Sequence, residues 1–498
     1  MKYYSTRNQI NYLTAAQVIK EGLSPDGGLY VPSEKLPVLP INIFTGNSYI
    51  DMAKTIFKIF LSDYDELEIS DAINSAYRIE NFDHPEITPL HKLKTGLYVL
   101  ELWHGPTSAF KDIALQVLPY LLRTAIKVTR EKSELVILTA TSGDTGKSAL
   151  EGFKDIPGIK IVVYYPARGV SEVQRLQMIT QEGNNVNVAA VKGNFDDAQN
   201  GVKAIFGNQQ LVKMLKAKGY RLTSANSINW GRLLPQIVYY FYAYAKLLSN
   251  EEIRDGEKIN FAVPTGNFGN ILAGYYAREL GLPVNRLICA ANINNVLTDF
   301  INSGHYNRNR KLKPSISPSM DILISSNLER LLFEITGHDS EKIKYWMDSL
   351  AKEGQYKIDN QTQRLIHDIF WSDFADDNET KKSIASVYEE YNYLIDTHTA
   401  VGSCVLNKYR ETEKDQSKTV ILSTASPYKF TGSVAGALFE KETYENYSEL
   451  ELLKVLSKKT ATNIPANLSN LDTKTIRHKQ VIERDAMPNH LLDFLKLT

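Results

Sequence analysis

The stretch richest in chemical possibility is Trp103-His-Gly-Pro-Thr-Ser-Ala-Phe-Lys-Asp112. Leu97 to Leu102 reads as a short apolar strand, Gly105-Pro106 breaks it, and Thr107 or Ser108 is placed to cap a following helix. From Phe110 the apolar residues fall at Ile113, Ala114, Val117, Leu118, Leu121, Leu122 and Ala125, the spacing of one helix face. Lys111 is thus expected in the first turn of a largely buried helix, where amide dipoles and loss of water both disfavour an ammonium ion. A lysine that easily becomes a neutral amine suits a Schiff base with an aldehyde cofactor. Taken alone, a solvated lysine beside a cap explains the same residues, so the other polar turns must decide.

Three such turns stand out. Gly266-Asn-Phe-Gly-Asn270 lies between a buried strand and a helix; its two glycines permit positive φ, so that successive N–H groups converge at a helix N-terminus. That is a site for a phosphate dianion. Thr141-Ser-Gly-Asp-Thr-Gly-Lys-Ser148 carries the second half of a nucleotide P-loop, but Thr141 stands where the first glycine is required. No strand ends in the expected magnesium-binding aspartate, so the N–H groups and hydroxyls of Ser142, Asp144 and Thr145 fit a carboxylate better. Ser423-Thr-Ala-Ser-Pro427 ends an apolar strand in hydroxyls; one of them facing a pyridine nitrogen would leave that ring mostly unprotonated. A wholly buried strand gives no alternation, so Ser423 and Thr424 both remain candidates.

These turns need a scaffold that aims them at one place. Short β-branched runs at 135–139, 159–165, 186–191, 259–263, 286–291 and 419–422 alternate with helical patterns, which argues for α/β architecture with parallel sheet flanked by helices. Ligands in such sheets bind beyond the carboxyl ends of the strands, where the polar turns lie. Between about 300 and 400 the chain is helix-rich and charged, with a helix from Leu328 and Ser326 and Glu329 spaced as a capping box. The tail beyond Glu440 reads as small surface elements without a chemical clue.

The 498 residues are enough for two or more lobes. Lys plus Arg and Asp plus Glu both number 57, which gives no pull toward nucleic acid or an acidic membrane. Cys289 and Cys404 sit in apolar stretches as small core residues, and the histidines show no metal-ligand spacing. Met1 to Lys20 lacks the apolar core of a signal peptide. Leu233 to Leu248 carries Pro235, Gln236, Lys246 and several tyrosines, so it reads as a buried helix rather than a membrane span. A soluble, cytoplasmic globular protein is expected.

Taken in order and spacing, His104–Asp112, Thr141–Gly146, Ser224-Ala-Asn-Ser-Ile-Asn-Trp-Gly-Arg232, Gly266–Asn270, Pro318-Ser-Met-Asp-Ile322 and Ser423–Pro427 resemble the threonine synthases. These are pyridoxal-phosphate enzymes of the tryptophan-synthase-β fold type. The resemblance runs from Tyr3-Tyr-Ser-Thr-Arg7 and Asp26–Pro32 to Pro427-Tyr-Lys-Phe430. It implies two parallel-sheet lobes behind an added, mostly helical N-terminal part at 1–92. Residues 93–250 would carry the Schiff-base lysine and carboxylate turn, and 251–498 the phosphate turn. Lys111 would hold pyridoxal 5'-phosphate and then act as base and acid. Gly266, Asn267, Phe268, Gly269 and Asn270 would cradle the cofactor phosphate, Thr424 would face the pyridine nitrogen, and Asp144 would approach its phenolic oxygen. Ser142, Asp144 and Thr145 would line the substrate carboxylate, while Asn226, Ser227 and Arg232 would take the substrate phosphate.

The implied reaction turns O-phospho-L-homoserine and water into L-threonine and phosphate, in a monomer or homodimer. Two positions depart from the family pattern. Ser426 stands where members often carry histidine, and Lys147 adds a charge read as a solvated helix residue. Three rivals stand beside it: a lyase that needs the same lysine and loops but yields a 2-keto acid, a non-catalytic relic of the fold, against which the retention of Lys111, the glycine turn and Thr424 speaks, and a P-loop nucleotide-binding protein resting on Gly146-Lys147-Ser148.

Overall fold

The computed structural model describes residues 1–141, 143–168 and 170–497. The alternating strand and helix signals resolve into two mainly parallel sheets. The larger has the order Phe370–Phe374, Val284–Ala291, Ile259–Pro264, Thr419–Ser423, Leu97–Glu101, Leu90–Lys94, with only the last strand antiparallel. The smaller has the order Val481–Ile482, Val186–Val191, Ile159–Pro166, Glu134–Ala140, Tyr220–Thr223, parallel throughout. Its inner strands are buried along nearly their whole length, which fits unbroken rather than alternating apolar runs.

Sheet membership does not follow the expected division at 93 and 250. Leu97–Glu101 pairs with Thr419–Ser423, Ser423 lying opposite Glu101, so the strand leading to Lys111 belongs to the larger sheet. The expected boundary at 93 falls inside Leu90–Lys94. The N-terminal part adds a three-stranded antiparallel sheet and the helices Ala15–Glu21, Tyr49–Phe60 and Glu66–Ala76. The apolar run at 233–248 lies within the helix Trp230–Ser249, buried on almost every side at the centre of the molecule. Among the described residues no helix is long and apolar enough to cross a membrane.

Several local expectations change. The single helix expected from Phe110 to Ala125 is two, Lys111–Leu115 and Leu118–Val128. Pro119 explains the break, because its ring has no N–H for the carbonyl of Leu115 and would collide with it in a continuous helix. Neither Thr107 nor Ser108 caps the first helix: its N-cap is Phe110, and Thr107 instead donates to Asp112 from both backbone N–H (2.8 Å) and hydroxyl (2.7 Å). No Ser326–Glu329 capping box forms. Asn327 is the N-cap residue, and Glu329 is drawn away to Arg7 (2.8 and 2.9 Å) and Thr6 (2.6 Å), which also join the N-terminal sheet to this helix. Cys289 is buried, whereas Cys404 is only partly so.

The tail is no mere surface ornament. Val481–Ile482 extends the smaller sheet, and the helix Met487–Phe494 buries Met487 and Leu491 against Val136, Leu138 and Val162. Asn467 reaches the Lys111 loop, accepting from Ser108 Oγ (2.9 Å) and donating to the carbonyl of Gly105 (3.2 Å).

Candidate active site

The strand Leu97–Glu101 ends at the loop that brings Lys111 to the interface of the two sheets. Gly105 is required there, because a Cβ would lie 2.4 Å from that of Asp112. Asp112 is fully buried, held by Thr107 and by Ser148 Oγ at 2.5 Å, so it fixes the loop against the helix Asp144–Phe153. A second close contact reinforces this: a Cβ on Gly152 would sit 2.0 Å from the carbonyl oxygen of Leu115. Lys111 and Asp144 are therefore carried on short helices locked together.

Lys111 Nζ lies 3.3 Å from Asp144 Oδ2 and donates to Ser319 Oγ at 3.1 Å. Ser319 Oγ in turn donates to Asp144 Oδ2 at 3.1 Å. The other carboxylate oxygen receives Lys429 Nζ at 2.7 Å and Gln174 Nε2 at 2.8 Å. Burial first, and then the positive charges of Lys429 and Arg232, move the Lys111 amine below the ordinary lysine range, while Asp144 opposes them. The helix bearing Lys111 spans only Lys111–Leu115, so desolvation rather than a long row of amide dipoles carries that shift. Burial pushes the Asp144 carboxyl the other way, but Lys429 and Lys111 prevail and hold it well below the usual carboxylate range.

Behind Ser319 stands a buried pair. His398 Nε2 accepts the backbone N–H of Ser319 at 3.2 Å, and His398 Nδ1 lies 2.8 Å from Asp396 Oδ2. With Nε2 accepting, the proton belongs on Nδ1, donated to Asp396. Asp396 also caps the helix Thr397–Glu413, so the imidazole is fixed at its base.

The Gly266–Asn270 turn abuts the same serine. A Cβ on Gly266 would meet the Ser319 carbonyl oxygen at 3.0 Å and Met320 Cα at 3.3 Å, so only glycine fits that approach without displacing the turn. The left-handed residue is Phe268 (φ 62°), not either glycine, its ring held in the core. The helix Gly269–Glu279 that follows has no side-chain cap, and buried Asn270 Nδ2 has no partner among the described residues. The opposite side of the turn is secured by Ser325 Oγ on the Gly266 carbonyl (2.7 Å) and Asn327 Nδ2 on that of Asn267 (2.9 Å). A cramped glycine, uncapped helix amides and an unsatisfied buried amide fit an anionic phosphate group.

The remaining expected residues fall around this centre with differences. Ser142 lies outside the described residues. Thr145 is half-buried in the first turn of the helix Asp144–Phe153, preceded by Gly143, whose φ of 146° and contact with the Gln174 side chain exclude a larger residue. Arg232 is buried; its Nη1 donates to the Ala225 carbonyl (2.8 Å), its Nε has no partner among the described residues, and desolvation lowers it to about 10. Asn226 and Ser227 are half-buried, and Asn229 rather than Asn226 caps the long helix. Ser423 Oγ is occupied by Trp103 Nε1 and Thr399 Oγ1, each at 3.1 Å. Lys147 is buried against Glu151 (2.7 Å) and Gln181, not solvated, and so is turned to its own helix. Ser426 is buried and caps the next turn, its residue lining a cavity of about 410 Å³ with Trp103, His104 and Tyr428.

Ser319, Lys429, Gln174 and the Asp396–His398 pair are the residues that sequence reasoning missed. Ser319 and Lys429 sit inside quoted motifs, and Asp396-Thr-His-Thr399 shows N-cap spacing, but nothing local reveals which carboxylate or amine each one meets.

Comparison with known proteins identifies the family. Residues 2–77 match the family model "Threonine synthase N terminus", 82–358 "Pyridoxal-phosphate dependent enzyme", and 399–488 "Threonine synthase, C-terminal". The threonine synthase of Pseudomonas aeruginosa is 40% identical, over 88% of this chain and 90% of its own length. This chain belongs to the threonine synthase family. The threonine synthase of Saccharomyces cerevisiae is 35% identical over 92% of this chain and 94% of its own. The pyridoxal-phosphate-bound threonine synthase structure from Brucella melitensis superposes with a TM-score of 0.87 at 34% identity, covering 99% of both chains. As a threonine synthase of the tryptophan-synthase-β fold type, the chain is a lyase that uses pyridoxal phosphate and acts on a small-molecule substrate.

Proposed function

We propose that Lys111 is the covalent and proton-carrying lysine of a synthase that converts O-phospho-L-homoserine and water to L-threonine and phosphate. The observation that carries this is the meeting of Lys111, Asp144 and the Gly266 turn on one residue, Ser319. The cofactor phosphate would sit on the turn from Gly266 to Asn270 and the helix amides behind it, with Lys111 at the aldehyde end and Asp144 near the phenolic oxygen. Thr424 is the better partner for the pyridine nitrogen, because the Ser423 hydroxyl is already taken by Trp103 and Thr399. Bound there, pyridoxal phosphate supplies a conjugated ring that delocalises the electron pair left when a Cα proton is removed.

The chain's own groups do the rest. Asp144 and Thr145, at the start of a helix, and Ser142 before them in sequence orient the substrate carboxylate through N–H and hydroxyl donors. Arg232, with Asn226 and Ser227, holds the γ-phosphate by charge-assisted hydrogen bonds and stabilises it as it leaves. The Lys111 amine removes the Cα proton, then one from Cβ, and returns protons as water adds at Cβ. A base whose ammonium form burial disfavours suits such shuttling.

Purified protein given O-phosphohomoserine should form threonine and phosphate in equal amounts. Formation of 2-oxobutyrate with ammonia instead would transfer the assignment to a lyase of the rival kind. Borohydride treatment followed by peptide mass mapping should place the cofactor on Lys111.

A further inference from the structure

Two lysines, one buried and one partly so, contend for one carboxylate. Lys429 Nζ is 2.7 Å from Asp144 Oδ1 and 2.9 Å from the Thr107 carbonyl it donates to, and its side chain is 0% exposed. Lys111 Nζ is farther from the same group, 3.3 Å, with its side chain 12% exposed and a serine hydroxyl as its other partner. Were both ammonium, the site would hold excess positive charge away from water, a costly arrangement that the loss of one proton relieves.

We propose that Lys429 is a positioning residue whose enclosed ion pair occupies Asp144, so that Lys111 is the lysine that yields its proton and becomes the reactive amine. The proposal rests on Lys111 being the covalent lysine. The charged groups facing Lys111 from its neighbouring elements are Asp144, Lys429 and Arg232; beyond them, His398 faces Asp144 and Asp112 faces Lys429. Arg232 adds positive charge, His398 is tied as a Nδ1–H donor to Asp396, and Asp112 is engaged by Thr107 and Ser148. Among the groups named, Asp144 is the one that favours the Lys111 ammonium, and Lys429 is the group that satisfies Asp144 in its place. The same pairing neutralises Asp144 beside the anionic groups that this site must admit.

The test measures the amine directly. Full-length protein freed of cofactor by dialysis is labelled with trace acetic anhydride across pH 6–11, and Lys111 acetylation is quantified by peptide mass spectrometry. Wild type should show a midpoint at least about one unit below an ordinary lysine near 10.4. Lys429→Gln keeps hydrogen-bonding capacity but no charge; its midpoint should rise by about one unit, seen as roughly tenfold slower labelling at pH 8. Lys429→Arg should stay with wild type. In the holoenzyme, the pH midpoint of the bound cofactor's visible absorption should move upward in Lys429→Gln only. Coincident midpoints for Gln variant and wild type would overturn the proposal. So would an ordinary wild-type midpoint, which needs no variant to fold. Borohydride fixing the cofactor on another lysine would instead refute the covalent role of Lys111.

Discussion

At the residue scale, the balance at His104 shows how a loop next to the reacting groups is tuned. Burial favours its neutral ring, but Asp83 Oδ1 at 2.6 Å from Nδ1 and Glu101 Oε2 at 2.7 Å from Nε2 outweigh it and raise His104 to about 9. Asp83 is half in water and so is partly screened, leaving the enclosed Glu101 as the stronger partner. Because the folded value lies above the unfolded one, near 6.5, this stabilisation is complete below that pH and is lost as pH rises through 9. Thermal unfolding followed from pH 6.5 to 9 should therefore show a falling midpoint, and His104→Gln should flatten the slope. Lys111→Ala should retain the fold, lose borohydride-fixable cofactor, and cut turnover by at least about 10²–10⁴-fold, read by phosphate release. Lys111 and Asp144 were legible because helix periodicity and a polar turn flagged them. Lys429 and His398 were not: their chemistry comes from contacts to residues 144 and 319, which spacing along the chain does not encode.

At the element scale, the site depends on close approaches that only glycine permits. Gly152→Ala would drive a methyl group into the Leu115 carbonyl at 2.0 Å, and neither backbone can yield without separating the helices of Lys111 and Asp144. Destabilisation of about 2–3 kcal/mol in urea titrations is expected, with turnover falling further than stability alone explains. The sequence displayed Gly152 but not its contact, since the break that exposes Leu115 comes from Pro119, inside what periodicity presents as one helix. The phosphate turn had the reverse history. Its place between strand and helix was evident, whereas the positive φ fell on Phe268, because the core holds that ring and pays the strain of a left-handed residue. Gly266→Ala should accordingly act by shifting Ser319 and Met320. Cofactor affinity, followed by fluorescence, should drop about tenfold, while Gly207→Ala, at an exposed glycine with open space around it and no left-handed backbone, should leave it unchanged.

Across the whole molecule, one buried cation links the regions that sequence reading treated as separate. Arg330 is fully enclosed; its Nε donates to the Tyr30 carbonyl (2.9 Å), Nη1 to Asn327 Oδ1 (2.6 Å) and Nη2 to the Ile228 carbonyl (2.6 Å). Tyr30 belongs to the N-terminal sheet, Ile228 to the loop bearing Asn226, Ser227 and Arg232, and Asn327 supports Asn267 of the phosphate turn. The Trp230 ring, packed against Tyr3 and Phe60, lies 5.8 Å from the guanidinium and completes the junction. The N-terminal part is thus a brace between the Asn226–Arg232 loop and the Gly266–Asn270 turn, the two regions proposed above to take anions. Arg330→Met would leave two carbonyls and an amide oxygen unsatisfied in the interior, at about 1–3 kcal/mol each if none finds water. Guanidinium titration should show a loss of at least about 3 kcal/mol. The more telling measurement is affinity for the substrate phosphate and for the cofactor in the surviving folded fraction. Both should weaken together, although Arg330 touches neither region's expected ligand, because the loops it joins no longer hold their separation. If affinity for both stayed at the wild-type level while stability fell, the brace would serve folding alone.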